Sequence, residues 1–289
     1  MVVCMTKGLF KRSVNRSVAG NVVVFIFVFL MACFMILPIV YAVGSAFKPL
    51  DEIYIFPPRM IAHRPTLDNF LQLSLLTGTF WVPLSKYLFN SIFVTLAGTV
   101  GHIVLASMAA YPLAKHQFYG RRALSQVIVL SLLFTASVTY IPQYVVLGAT
   151  RLIDTYWAVI LIALQSSLGL YLMMNFMQRI PDEMLEAARI DGAKEIRIFW
   201  TVVMPNVKPA WLTLMIFSFQ SLWNSNGGGF IYNESLKTLP AVMASISAGG
   251  VVRTGVTAAS ALLLMIPPII LFISSQSRVI ETMSTSGLK

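Results

Sequence analysis

The chain has 289 residues, 57% of them hydrophobic and only 11% charged, with a mean hydropathy of +0.78. A soluble domain carries about 25% charged residues, so this composition cannot cover a water-facing surface and excludes an ordinary soluble protein. The formal net charge of +10 comes from basic residues scattered beside apolar runs, not from a stripe or an RNA-binding motif. They read as topology signals, which excludes nucleic acid as a partner and leaves the lipid bilayer.

In chain order, Lys7, Lys11, Arg12 and Arg16 precede a first apolar run over roughly 22–43. Small residues at Ala42, Gly44 and Ala46 are compatible with a cleavage site. The run is nevertheless longer than the about 7–15 apolar residues of a secretory signal, and it reads as a retained helix. Further apolar runs lie at roughly 88–111, 124–147, 156–177, 207–224 and 256–276. Most of these six runs approach or exceed the about 20 residues that carry a helix across an about 30 Å hydrocarbon core. Pro38, Pro142, Pro267 and Pro268 lie inside or near runs, where neighbouring helices can re-satisfy the freed backbone groups. No Gly/Ser-rich linker divides the chain, so residues 1–289 read as one integral domain. The expected fold is all-α, a polytopic membrane bundle of about six transmembrane helices. Cys4 and Cys33 imply no disulfide framework.

With six crossings both termini share a side, and that side holds 14 of the 21 Lys and Arg residues. The bias places both termini in the cytoplasm, with two long segments, about 44–85 and 224–255, outside. The runs contain no Asp, Glu, Lys or Arg well inside their limits; their polar groups are residues such as Asn90, His102, Gln126, Gln143, Gln165, Asn175 and Gln220. Carriers driven by protons or sodium retain a buried charge for the coupling ion, so its absence counts against ion coupling. His102 reads as a hydrogen-bond partner for a neighbouring helix, with a proton relay as the alternative. No phosphate-cradling G-x-x-x-x-G-K-[ST] loop, no metal-ligand spacing and no nucleophile elbow occurs. The chain is therefore expected to be no enzyme, and another chain must supply energy for uphill movement.

The cytoplasmic segment 179–206 is the densest cluster of charge. Pro181 suits a first helical position, and Asp182 and Glu183 favour the positive end of a helix dipole. Met184, Leu185 and Ala188 share a face, with Asp182, Glu186 and Arg189 on or near the other. Gly192 can take the left-handed conformation that stops a helix. A second helix from Lys194 to Met204 would then place Ile196, Phe199, Trp200 and Val203 on one side, until Pro205. The pair would form a projecting knob.

Glu186-Ala187-Ala188, then Asp191-Gly192-Ala193, Phe199, Pro205 and Pro209 resemble the EAA loop of binding-protein-dependent ABC importer permeases, which have the MetI-like transmembrane fold. Trp223-Asn224, Leu239-Pro240, Ala258-Ala259 and a short polar tail resemble the carboxyl-terminal third of the maltose-importer type. The opening span followed by Pro65-Thr66-Leu67-Asp68-Asn69-Phe70 also fits. The resemblance implies sugar import across a bacterial cytoplasmic membrane, with a second homologous permease, two ATPase subunits and an extracytoplasmic sugar-binding protein as partners. It implies that ATP and magnesium bind the partner ATPase and that this chain binds no cofactor. Glu186, Ala187, Ala188, Asp191, Gly192, Ala193, Phe199 and Pro205 would serve ATPase docking. Gly287 and Lys289 would reach the ATPase interface from the tail, although Thr282, Ser284 and Thr285 replace a more glycine-rich stretch. The runs Gly227–Gly229 and Asn233–Thr238 are similar to permeases for acidic plant or algal oligosaccharides. A secondary carrier or channel gated by the 179–206 hairpin is the alternative reading.

Aromatic residues stack on sugar rings, which makes Trp157, Tyr171 and Trp223 candidates for a substrate path, with Asn224 and Gln165 as polar companions. Trp and Tyr near helix ends also serve as interfacial anchors.

Overall fold

Where an apolar run is long and uninterrupted, the backbone finds no water and closes its hydrogen bonds within a helix. The computed structural model describes residues 18–78, 82–250 and 253–286. In order these form α1 (Val18–Ala46), α2 (Leu50–Ile53), α3 (Asp68–Gly78), α4 (Leu84–Lys115), α5 (Arg121–Ser131), α6 (Ala136–Ala149), α7 (Tyr156–Leu164) and α8 (Ser167–Gln178). They continue with α9 (Asp182–Ile190), α10 (Glu195–Ile198), a π-helical turn (Phe199–Val203), α11 (Met204–Asn206), α12 (Lys208–Trp223), α13 (Leu239–Ser247) and α14 (Thr254–Ser286).

Among the described residues, four stretches are long and apolar enough to cross a membrane: Gly20–Ala46, Leu84–Lys115, Tyr156–Gln178 and Thr254–Ser275. The segments Glu195–Asn206 and Lys208–Trp223 pass the same test only together, and an 80° bend separates them. The run 124–147 differs from the continuous span its hydropathy suggests. It divides into α5 and α6, because the Leu132, Leu133 and Phe134 amides turn back to Val129, Leu130 and Ser131. The Ser131 hydroxyl reinforces the break by bonding the Ile128 carbonyl and Ser167 Oγ, each at 2.6 Å. Serine bonded to its own preceding turn competes with helix continuation.

Helix α4 is the axis of the bundle and packs against α7, α8 and α12. Gly98 lets α12 approach so closely that a Cβ there would overlap Leu222, and Gly169 on α8 leaves the space filled by the His102 ring. Such small-residue contacts bring membrane helices together where no hydrophobic drive operates between them. Helix α1 stands apart, packed on α14 and exposed from Gly20 to Tyr41.

At the opposite end from the 179–206 segment, α1, α3, α4, α13 and α14 bury Ala46, Leu73, Tyr87, Val242, Ile246 and Val256 together. Asn69 pins the intervening loop by donating to the carbonyls of Ala46 at 2.9 Å and Lys48 at 2.7 Å. The buried Glu52 carboxylate accepts the amides of His63 at 2.6 Å and Arg64 at 3.3 Å. Those bonds, His63 foremost, hold its carboxyl below the usual range.

Candidate functional site

Two features have a geometry that can do work: the knob between α8 and α12, and a cleft among α4, α6, α7, α8 and α12 whose largely apolar wall carries a set of polar groups. In the knob, Pro181 sits one residue outside α9, at the N-cap. The helix ends in a complete Schellman motif. The Ala193 amide bonds the Ala188 carbonyl at 3.0 Å, the Gly192 amide bonds Arg189 at 2.9 Å, and Gly192 has φ +78°. This pattern needs a left-handed residue at the bend, which glycine supplies without steric cost.

Beyond the bend the expected single helix is interrupted by the π-helical turn. Its extra residue rotates the apolar face, so Ile198, Phe199, Val203 and Val207 are buried while Ile196 and Trp200 face outward. With Leu185 they pack on Ala110 and Tyr111 of α4 and Met173 and Met177 of α8. The Tyr111 and Phe199 rings lie 5.6 Å apart. Met184 is exposed rather than sharing the buried face with Leu185.

Polar struts from the end of α4 complete the attachment. Lys115, with only 4% of its side chain exposed, donates to the Ile180 carbonyl and to Asp182 at 2.7 Å. The Lys115 ammonium holds the Asp182 carboxyl below the usual range. Tyr111 donates to Glu195 at 2.7 Å, and Arg189 donates to the same carboxylate at 2.8 Å. One carboxylate on α10 thus ties α9 and α4 together. Sequence reasoning passed over Tyr111, Lys115 and Glu195. The available signal was the spacing Tyr111–Lys115, one helical turn at the basic end of a span. Glu186, Ala187, Asp191 and Pro205 remain exposed, while Ala188 and Ala193 are half-buried against the core.

The cleft has two lobes. One, of about 510 Å³, is bounded by His102, Tyr140, Gln143, Ser166, Ser218 and Phe230. The other, of about 1000 Å³, takes in Ser131, Thr139, Gln143, Gln165 and Ser167. Hydroxyl and amide groups dominate the polar lining, and among the described residues no Asp, Glu, Lys or Arg borders either lobe. Gln165 lies where α7 breaks into α8, so local backbone irregularity faces the cleft instead of lipid. His102 Nδ1 pairs with Ser218 Oγ at 2.7 Å, joining α4 to α12. Gly227, Gly228 and Gly229, all at positive φ, carry the chain over the smaller lobe. Asp154 then fixes the chain by accepting the amides of Tyr232 at 2.9 Å and Asn233 at 2.7 Å.

The other aromatic and polar candidates lie elsewhere. Trp223 is buried and donates its indole N–H to the Leu264 carbonyl at 2.9 Å. Asn224 borders a separate groove against α14, Tyr171 packs on the core beneath the knob, and Trp157 is exposed on α7. Gly287 and Lys289 lie outside the described residues.

The family described as "Binding-protein-dependent transport system inner membrane component" matches residues 8–281. The chain is 34% identical to Protein LplC of Bacillus subtilis over 208 residues, 70% of this chain and 66% of that protein. It is 29% identical over 218 residues to the polygalacturonan/rhamnogalacturonan transport system permease protein YtcP of the same species, 75% of this chain and 74% of that protein. In fold it is similar to a chain from the crystal structure of a bacterial ABC transporter involved in the import of the acidic polysaccharide alginate. The TM-score is 0.74 at 22% identity, covering 92% of this chain and 99% of that chain.

Proposed function

Since the chain belongs to the family of inner-membrane components of binding-protein-dependent transport systems, we propose that it is the permease subunit of an ATP-driven oligosaccharide importer. The observation that carries this reading is the knob. It is a rigid projection outside the helix bundle, bolted by Lys115, Tyr111 and Glu195 to the same helix that borders the cleft. The permease role that YtcP bears in its name and the polysaccharide import of the alginate transporter support a carbohydrate, acidic by class, as cargo. A cleft edged by hydroxyls and amides suits a polyhydroxylated solute, which exchanges hydrogen bonds with water for hydrogen bonds with the wall.

In this reading Glu186, Ala187, Asp191 and Pro205 touch one subunit of an ATPase dimer that holds ATP and magnesium. Ala188, Gly192, Ala193 and Phe199 shape the knob from behind. ATP-driven closure of that dimer displaces the knob, and the struts pass the displacement to α4, opening the cleft to alternate sides. This chain performs no chemistry. A second, homologous permease closes the open side of the cleft, and an extracytoplasmic binding protein delivers the sugar. Gly287 and Lys289 extend toward the ATPase interface.

Purification from the native membrane tests the reading. The expected result is co-purification of an ATPase and a second permease. The assembly, in vesicles with its binding protein, should take up labelled oligogalacturonides in an ATP-dependent way. A self-sufficient homo-oligomer that moves solute without ATP would sink it.

The basic-residue bias supports both termini in the cytoplasm and residues 44–85 outside. Cysteine at Gln72, exposed on α3, should therefore react with an impermeant thiol reagent in intact cells, and cysteine at Tyr119, fully exposed between α4 and α5, should react only after permeabilisation. The reverse pattern would invert the topology.

A further inference from the structure

The loop between α2 and α3 shows an unusual surface. Phe56 is 91% exposed and Ile61 72% exposed, and Tyr54, Ile55 and Met60 are exposed around them. Apolar side chains at such density on a water-facing loop need something to cover them. The loop is not loose. The Met60 backbone packs so closely on Gly44 that a Cβ there would overlap its carbonyl oxygen. Lys48 donates to the Arg59 carbonyl, and the Thr66 amide bonds the Phe47 carbonyl at 2.8 Å.

The height of the loop along α1 decides what covers it. The apolar span of α1, Gly20–Ala46, comprises 27 residues and at 1.5 Å per residue is about 40 Å long, more than an about 30 Å hydrocarbon core, so its Ala46 end reaches the edge of that core. Gly44, two residues from that end, therefore stands at the edge of the core, and Met60 packs beside it. The loop is thus attached to α1 at the end of its exposed stretch. The exposed Arg59 places a guanidinium group among the apolar side chains, whereas Arg64 is paired with Asp51. Apolar and aromatic side chains with basic neighbours are the composition that settles at the boundary between headgroups and acyl chains.

We propose that the 54–61 loop is an interfacial anchor. Phe56, Met60 and Ile61 insert into the outer part of the bilayer nearest the Ala46 end of α1, and Arg59 binds lipid phosphate. The proposal concerns where the chain meets lipid and holds whatever solute the permease carries.

Phe56→Trp, with Ile61→Trp as a second position, tests it. Each variant is purified with whatever subunits accompany it and placed in nanodiscs of phosphatidylethanolamine and phosphatidylglycerol brominated at shallow or deep acyl positions. The emission added over the parent protein is expected to be blue-shifted, with at least half of it quenched by shallow bromines and much less by deep ones. Added emission that no brominated lipid quenches at either position would overturn the proposal, whether the loop then faces water or a protein. Quenching stronger from deep than from shallow bromines would overturn it too.

Discussion

Gly192→Val is expected to leave the chain inserted in the membrane at normal levels but to reduce strongly the binding-protein-stimulated ATP turnover and sugar uptake. No neighbouring atom lies within 4 Å of a Cβ at this position, so steric contact is not the cause. The cost is conformational: at φ +78° a side chain branched at Cβ pays about 1–2 kcal/mol or more for the left-handed region. The Schellman bonds from Gly192 and Ala193 then give way, and α10 leaves α9 at a different angle. A penalty of about 1–2 kcal/mol shifts the equilibrium against the correctly bent knob about five- to thirtyfold, and coupling falls as other arrangements of the knob gain population. Gly192→Asn should be milder, because asparagine tolerates this region. Parallel ATPase and uptake assays in vesicles check the result, and full uptake by the valine variant would remove the bend from the coupling step.

Lys115→Met should loosen the knob at its root. The lysine is nearly buried and satisfies the Ile180 carbonyl as well as Asp182. An unpaired carbonyl at the junction costs about 1–3 kcal/mol, whereas Asp182 is exposed and recovers water. The methionine fills much of the same volume, so the bundle above should persist. Trypsin should then cut at Arg179 and Arg189 roughly tenfold faster, because proteolysis follows the population of the opened segment. Uptake should fall with it, and Lys115→Arg should restore part of both. Unchanged cleavage together with unchanged uptake would show that the strut is dispensable.

The long helices were legible because each rests on an apolar run that no charge interrupts: α1, α4, α14 and the α7–α8 pair lie where the runs do. The break between α5 and α6 was not legible. Leu132, Leu133 and Phe134 are as apolar as their neighbours, and the interruption depends on a Ser131–Ser167 contact that exists only after folding. The knob could be placed from its Pro, Gly and charge pattern. Its buried face could not, since the π-helical turn shifts the periodicity on which a helical wheel depends. Gln165 borders the cleft because it ends α7, a position that apolar patterning conceals. Trp223, chosen for its ring, spends its indole N–H on the α14 backbone.

Helix α4 is also held at its far end. Tyr87 donates to Glu234 at 3.0 Å, Asn90 donates to the Ser235 and Lys237 carbonyls at 2.9 Å, and Ser91 accepts the Leu239 amide at 2.7 Å. Tyr87 and Lys115 are 28 residues apart on this one helix, about 42 Å at 1.5 Å per residue. A single element therefore joins the 234–239 segment to the knob, and thermodynamic reciprocity governs any coupling between them. To the extent that α4 transmits a displacement, a ligand that favours one setting of the 234–239 segment shifts the knob by the same free energy with which the knob shifts that ligand's affinity.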